Sequence, residues 1–237
     1  MKKFLTSSFL VVFAFFSMFC LVGCGDEFAN AEEVTQEEVA TYINQEGVDF
    51  GEGLSKGFVM KMKTKSKRAN LDCEIGILLD EQGEDIESLS AFIGVGSGMF
   101  RVEIKAYVKD GMLYTSMTGE GKQVVEFTGQ TGIDSIIDAI SEVDKMLEQV
   151  RDYVISNDID LSKVGFKKLV GEEEGDIKFQ IKDKQENAES TFVIAFENNV
   201  LQELKVNAES KEGKVEISFA RTTQLKLPSD KELANWR

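Results

Sequence analysis

Runs in which apolar and polar side chains alternate recur along most of this sequence, and that period of two commits the chain to β-structure. Phe58, Met60 and Met62 alternate with Val59, Lys61 and Lys63, and Leu71, Cys73, Ile75 and Ile77 with Asp72, Glu74 and Gly76. Leu89, Ala91, Ile93 and Val95 make a third set, and Phe100, Val102, Ile104, Ala106 and Val108 a fourth, set against Arg101, Glu103, Lys105 and Tyr107. Successive strand residues point to opposite faces, so each run offers one face to a core and one to water. Two shorter strands follow around 112–118 and 122–128, with Asp110-Gly111 and Gly119 to Gly121 as turns. A second group lies near 164–170, 176–183, 190–197, 200–208 and 213–222, giving about eleven strands in two antiparallel meanders.

Between the meanders the period changes to that of a helix. Ile133, Ile136, Ile137, Ile140, Val143, Leu147, Val150 and Val154 fall at i, i+3, i+4, i+7 spacing, which predicts one long helix over about 132–156. A shorter helix is signalled near the start. Thr35 and Glu38 form a capping box, Val34 and Val39 a hydrophobic staple, and Gly47 ends the run. The expected fold is α+β: a single curved antiparallel sheet of about 11 strands, a half-barrel, packed on the long central helix and the short N-terminal one.

Widths then bear on function. Eleven strands spaced ~4.8 Å apart make a floor roughly 50 Å wide, whereas each helix is only ~10 Å across. Part of the apolar floor is left without a helical roof, and an uncovered apolar concavity is where a lipid or other apolar ligand binds. The expected lining comes from Phe58, Met60, Met62 and Ile75 in the first two strands and Ile93, Phe100, Val102, Ile104 and Met112 in the next three. Ile140 and Leu147 face it from the helix, and Phe179, Phe192, Ile194 and Phe219 from the second meander. The same residues serve equally as an ordinary filled core.

The first residues have the layout of a secretory leader: Lys2 and Lys3, an apolar run from Phe9 to Phe19, then Leu21-Val22-Gly23-Cys24. The run is about half the ~20 residues needed to cross a bilayer. The four residues Leu21 to Cys24 resemble the lipobox of bacterial lipoproteins, and the resemblance implies acylation of Cys24 after cleavage. The expected organisation is a leader over 1–23, a lipidated tether over 24–31 and one β-rich domain over 32–237. Localisation on the outward face of the cell membrane follows, or the outer membrane in a two-membrane host, because Gly25 rather than Asp follows the cysteine.

Charge and composition exclude several classes. The chain carries −15, and loss of Lys2 and Lys3 with the leader takes it to −17. So acidic a body lacks the cations that neutralise nucleic-acid phosphates, and as a whole it is repelled by anionic lipid. Its attachment to a membrane is expected through acyl chains. With Cys20 removed and Cys24 acylated, only Cys73 of the three cysteines remains, placed as a buried small hydrophobe. There is no histidine, hence no imidazole metal site and no Ser-His or Cys-His pair.

Other motifs read as turns. Gly94-Val-Gly96-Ser-Gly98 mimics a phosphate loop, but a strand rather than a helix follows it. Asp80, Glu81, Glu84 and Asp85 lack calcium-loop spacing, and Glu172 to Glu174 form another acidic turn. No enzyme activity, cofactor or metal is expected.

The whole layout is similar to the LolA/LolB superfamily, including the mycobacterial LppX/LprG-like lipoproteins. The residues that carry the likeness are the lipobox, the Lys109-Asp110-Gly111-Met112-Leu113-Tyr114 hairpin and the closing Leu225-Lys226-Leu227-Pro228. The resemblance implies a half-barrel under a helical lid that takes up acyl chains. The expected function is therefore a membrane-anchored lipoprotein that binds, carries or senses an apolar ligand. The alternative is a surface interaction lipoprotein with a filled core, using an envelope protein partner and the bare tail around Trp236.

Overall fold

The structure is a computed structural model and describes residues 26–49, 56–66, 70–80, 85–97, 100–127, 145, 148–156, 160–186 and 188–236. Its centre is one open, curved antiparallel sheet of twelve strands. The strands are β1 (Glu32–Val34), β2 (Gly57–Ser66), β3 (Asn70–Leu79), β4 (Ile86–Ser97), β5 (Phe100–Lys109) and β6 (Met112–Met117). The rest are β7 (Gly121–Glu126), β8 (Val164–Val170), β9 (Ile177–Gln185), β10 (Ala188–Glu197), β11 (Val200–Ser210) and β12 (Gly213–Arg221).

The order across the sheet is β1-β8-β9-β10-β11-β12-β2-β3-β4-β5-β6-β7. From β2 the chain walks outward to the edge at β7, restarts with β8 beside the far-edge strand β1, and walks back until β12 lies beside β2. The seam between the two meanders is thus the middle of the sheet, with Ile217 opposite Met62 and Phe219 opposite Met60. Tight turns follow local chemistry. Asp110-Gly111 and Asn198-Asn199 take positive φ at both central positions, the backbone of a two-residue hairpin that matches strand twist.

Three expectations are corrected. The sheet has twelve strands rather than eleven, because Glu32–Val34 pairs with Phe166 to Lys168 on β8. Three residues are too few to show a period, so the pairing is visible only once β8 lies alongside. The expected polar tether is docked from Asp26 onward. Asp26–Phe28 form a 3₁₀ turn with Phe28 buried, Lys167 donating to its carbonyl and Lys178 paired with Glu27. The long helix is not matched as one element: the bounded helices are short, namely the 3₁₀ turn, Gln36–Ile43 and Asp230–Ala234. Of the predicted span, residues 145 and 148–155 are helical, Ser156 lies past the helical stretch, and the remainder lies outside the described residues.

The N-terminal helix (Gln36–Ile43) begins as predicted, with Thr35 Oγ1 accepting from the Glu38 amide and the Glu38 carboxylate accepting from the Thr35 amide at 2.7 Å. It buries Val39 and Ile43 against the sheet, and the Tyr42 ring lies 5.3 Å from Phe179 and 5.2 Å from Phe196. Gln36 Nε2 donates to the carbonyls of Val154 (2.8 Å) and Ser156 (2.5 Å), so this helix also holds the end of the 148–155 helical stretch.

Candidate ligand-binding face

The strand register sorts the core face of β2 to β5 into rows. Phe58, Ile77, Leu89 and Val108 are mutual neighbours in one row, and all four are buried. The next row is Met60, Ile75, Ala91 and Ala106, and the one after it Met62, Cys73, Ile93 and Ile104. In both, the β2 and β3 members are buried and the β4 and β5 members half-buried. The last row is Thr64, Leu71, Val95 and Val102, where Val95 is 46% and Val102 44% exposed. Beyond it Phe100, at the start of β5, is 86% exposed. The apolar floor is therefore sealed at one end of the strands and opens steadily toward the β4–β5 turn.

The other half of the floor is closed across its middle, while Phe192 and Val206 in the adjoining row are half-buried. Phe179, Ile194, Leu204 and Phe219 form an uninterrupted row across β9 to β12, and each is fully buried. The N-terminal helix and the 148–155 stretch cover them. Tyr153 packs 5.5 Å from Phe192, and its hydroxyl donates to Asp183 Oδ2 at 3.0 Å. Tyr42 donates to Asn199 Oδ1 at 2.8 Å, which satisfies its one polar atom at the rim.

The expected lining residues divide accordingly. Ile93, Ile104 and Phe192 are half-buried on the core face, and Phe100 and Val102 stand at its open end. Phe58, Met60, Met62 and Ile75 form the sealed floor, while Phe179, Ile194 and Phe219 belong to the filled half. Met112 departs from the expectation. It pairs with Lys109 and Glu126, two residues on the solvent side, so it sits on the outer face. The Asp110-Gly111 turn sets that parity, which alternation in so short a strand does not reveal. Ile140, Leu147 and Cys24 lie outside the described residues.

The chemistry of the face is apolar. Cys73 is free and its thiol is pushed up to about 12, chiefly by burial and then by Asp72 and Glu74 on either side. No group of three or more metal-ligating side chains occurs among the described residues. The Gly94 to Ser97 stretch is the end of β4, not a phosphate loop. The Asp80 amide donates to the Asp85 carbonyl at 2.8 Å, and the Asp85 amide donates to Asp80 Oδ1 at 3.3 Å.

Sequence reasoning missed what covers the outer face. After β12 the chain crosses back over the first meander as a strap. Leu225 sits on Gly76, where a side chain on the strand would collide with its methyl group at 2.6 Å. Lys109 on β5 donates to Asp230 Oδ1 at 2.5 Å, and Trp236 meets Tyr107, Tyr114 and the Lys122 ammonium on β5 to β7. The bare tail expected around Trp236 is thus a packed element. The signal available was the Gly76 gap in an otherwise alternating strand. A separate cleft of about 250 Å³ lies at the opposite edge, between β1, β8 and β9, lined by Glu33, Lys167, Gln180 and Lys182 among others.

No family model matches the chain, and no curated protein matches it either. Among solved structures, the crystal structure of LprF from Mycobacterium bovis is similar over 81% of this chain and 97% of that one, at 10% identity and a TM-score of 0.38.

Proposed function

We propose that this chain is a membrane-anchored lipoprotein that binds, carries or senses a lipid or other apolar ligand on the core face of β2 to β5. The observation that carries the reading is the one-way opening of that face, from the buried Phe58-Ile77-Leu89-Val108 row to the exposed Val95, Val102 and Phe100. Soluble proteins rarely leave contiguous apolar surface in water, and an acyl chain lying along the rows would remove it. Such a ligand gains ~0.8 kcal/mol per buried methylene without needing a polar partner. Half-buried Ile93, Ile104 and Met117 leave room for it, and Thr64 and Thr115 are the polar groups in the same rows. The anchor is proposed at Cys24 on the strength of the lipobox, with the domain on the outward side of the membrane.

Native mass spectrometry of the chain begun at Gly25, together with uptake of a fluorescent fatty acid, tests the ligand. Co-purified lipid or saturable uptake is expected, and Ile104→Trp should reduce it by filling the open row. A clean unliganded mass from several hosts with no uptake overturns the reading. Cys24→Ala should abolish acylation and release the protein, and unchanged membrane attachment of a cleaved Cys24→Ala protein overturns the anchor.

One observation favours the second reading, a filled-core interaction lipoprotein: the complete burial of Phe179, Ile194, Leu204 and Phe219. In that case Ile104→Trp lowers stability without altering any bound mass, and crosslinking in cells traps a protein partner.

A further inference from the structure

The open end of the core face coincides with a basic corner of a strongly acidic molecule. Five cations and no acid fall within residues 61–68, in a chain of net charge −15. Lys63 and Lys65 lie exposed on the outer face of β2, and Lys65 shares a row with Asn70, Gly96 and Arg101 through to the β4–β5 tip.

Four acids of this corner are already matched. Glu74 pairs with Lys61 at 3.2 Å and Asp72 with Arg101 at 3.5 Å. Glu103 takes both Arg101 (3.2 Å) and Lys105 (3.6 Å), while Glu216, which neighbours Lys63, takes Lys214. Lys63 and Lys65 have no ion-pair partner among the described residues. They therefore stand as surplus positive charge at the same end of the sheet as the exposed Phe100, Val95 and Val102, on its opposite face.

Gly94 and Gly96 make this geometry possible. The Arg101 guanidinium lies where a side chain at Gly94 would stand, 2.3 Å from its would-be Cβ, which flattens it onto the outer face beside the Phe92 ring. Gly96 adopts φ +153° and lets the start of β5 approach the end of β4 closely, with the Phe100 carbonyl in the space a side chain would need.

We propose that this corner docks on an anionic lipid bilayer, with Phe100, Val95 and Val102 entering the interface and Lys63 and Lys65 meeting lipid phosphates. Exposed apolar residues at a sheet end that also carries unpaired lysines are the chemistry that binds such a surface, and the short-range attraction acts within a Debye length despite the acidic remainder. Docking in this pose aims the acidic bulk away from the bilayer. It also turns the open end of the apolar face toward the bilayer, so that under the ligand reading above an acyl chain passes between the two without crossing water. The docking surface itself does not depend on that reading.

Vesicle sedimentation tests it with the chain begun at Gly25, which keeps every described element from Asp26 onward. Partition onto phosphatidylglycerol vesicles should exceed that onto phosphatidylcholine and fall at high salt. Lys63→Gln and Lys65→Gln should each lower it about five-fold. Phe100→Ser should lower it about ten-fold or more, with an unchanged melting temperature. Equal partition onto both vesicles, or partition insensitive to all three substitutions, overturns the proposal. So does a dimer in solution that Phe100→Ser dissolves while vesicle binding is absent, since a second copy would then be the occupant. Fatty-acid uptake by the same variants is read separately: uptake kept while vesicle binding is lost concerns this corner alone, and uptake absent from the start concerns the ligand alone.

Discussion

Trp236 stands edge-on to Tyr107, ring centroids 5.6 Å apart and planes at 74°, and so fastens the last described residue of the chain to β5 in the middle of the first meander. The indole also meets Tyr114 at 6.3 Å and the Lys122 ammonium at 5.3 Å. Tyr107 and Tyr114 are direct cross-strand partners, so one residue clamps β5, β6 and β7 together near the sheet's open edge. Trp236→Ala should lower stability by roughly 2 kcal/mol, the scale of two aromatic pairs and a cation–π contact. Thermal unfolding of the wild type and the variant checks this, and equal midpoints would make the strap an ornament.

Acid and alkali should both loosen the strap. The hydrogen bond from Lys109 holds the Asp230 carboxyl below its ordinary 3.8, and the same bond raises Lys109 above 10.5. Glu232 is lowered as well, by the side-chain and backbone bonds of the Ser229 cap. A depressed carboxylate contributes above its ordinary value and loses that contribution as pH falls below it. A raised ammonium contributes below 10.5 and loses it as pH rises further. The tie is thus complete from about pH 4 to pH 10. Trp236 is the only tryptophan, so its emission reports the strap directly. A red shift on acidification below about pH 4 is expected, with a smaller shift in Asp230→Asn.

Cys73 should behave as a core atom. With the thiol raised to about 12 by burial, almost no thiolate exists at neutral pH, and the side chain is enclosed. In the chain begun at Gly25 a maleimide should therefore label it only as fast as the protein unfolds globally. Labelling at the rate of a free thiol under native conditions would contradict the buried position.

Gly96→Ala tests the β4–β5 tip. The added Cβ would lie 2.0 Å from the Phe100 carbonyl, at a φ that L-residues rarely adopt. A cost of roughly 1–3 kcal/mol is expected, the usual range for such backbone strain. Gly119→Ala provides the comparison, because no atom stands within 4 Å of its would-be Cβ and only its φ of +87° opposes the change. Chemical denaturation of the two variants should rank Gly96→Ala as the more damaging.

Much of the fold was legible because its signals are local. The places of β8 to β12, the Asp110-Gly111 turn and the Thr35–Glu38 capping box each depend on a few neighbouring residues; the turn and the box stand as read, and the strands match to within about two residues at each end. The elements that were missed depend on distant ones. β1 exists because β8 lends it an edge more than a hundred residues later, and Phe28 is buried because it meets the outer face of a sheet not yet formed in sequence order. Of the candidate site, the apolar character of the face was readable but its open end was not. Ile75 and Ile93 follow the same alternating pattern, yet one is buried and the other only half so.

By itself, then, the sequence determined which side chains of one long strand share a face: alternation forces neighbours to opposite sides of a pleated strand, and no partner is needed to decide that. It also determined the acidity of the surface and the absence of imidazole chemistry. Only the tertiary structure decided that β12 would lie beside β2, which half of the floor would be covered, and that the tail would strap the outer face. Those outcomes rest on contacts between residues far apart in the chain, where burial depends on what arrives above a side chain and not on which way it points.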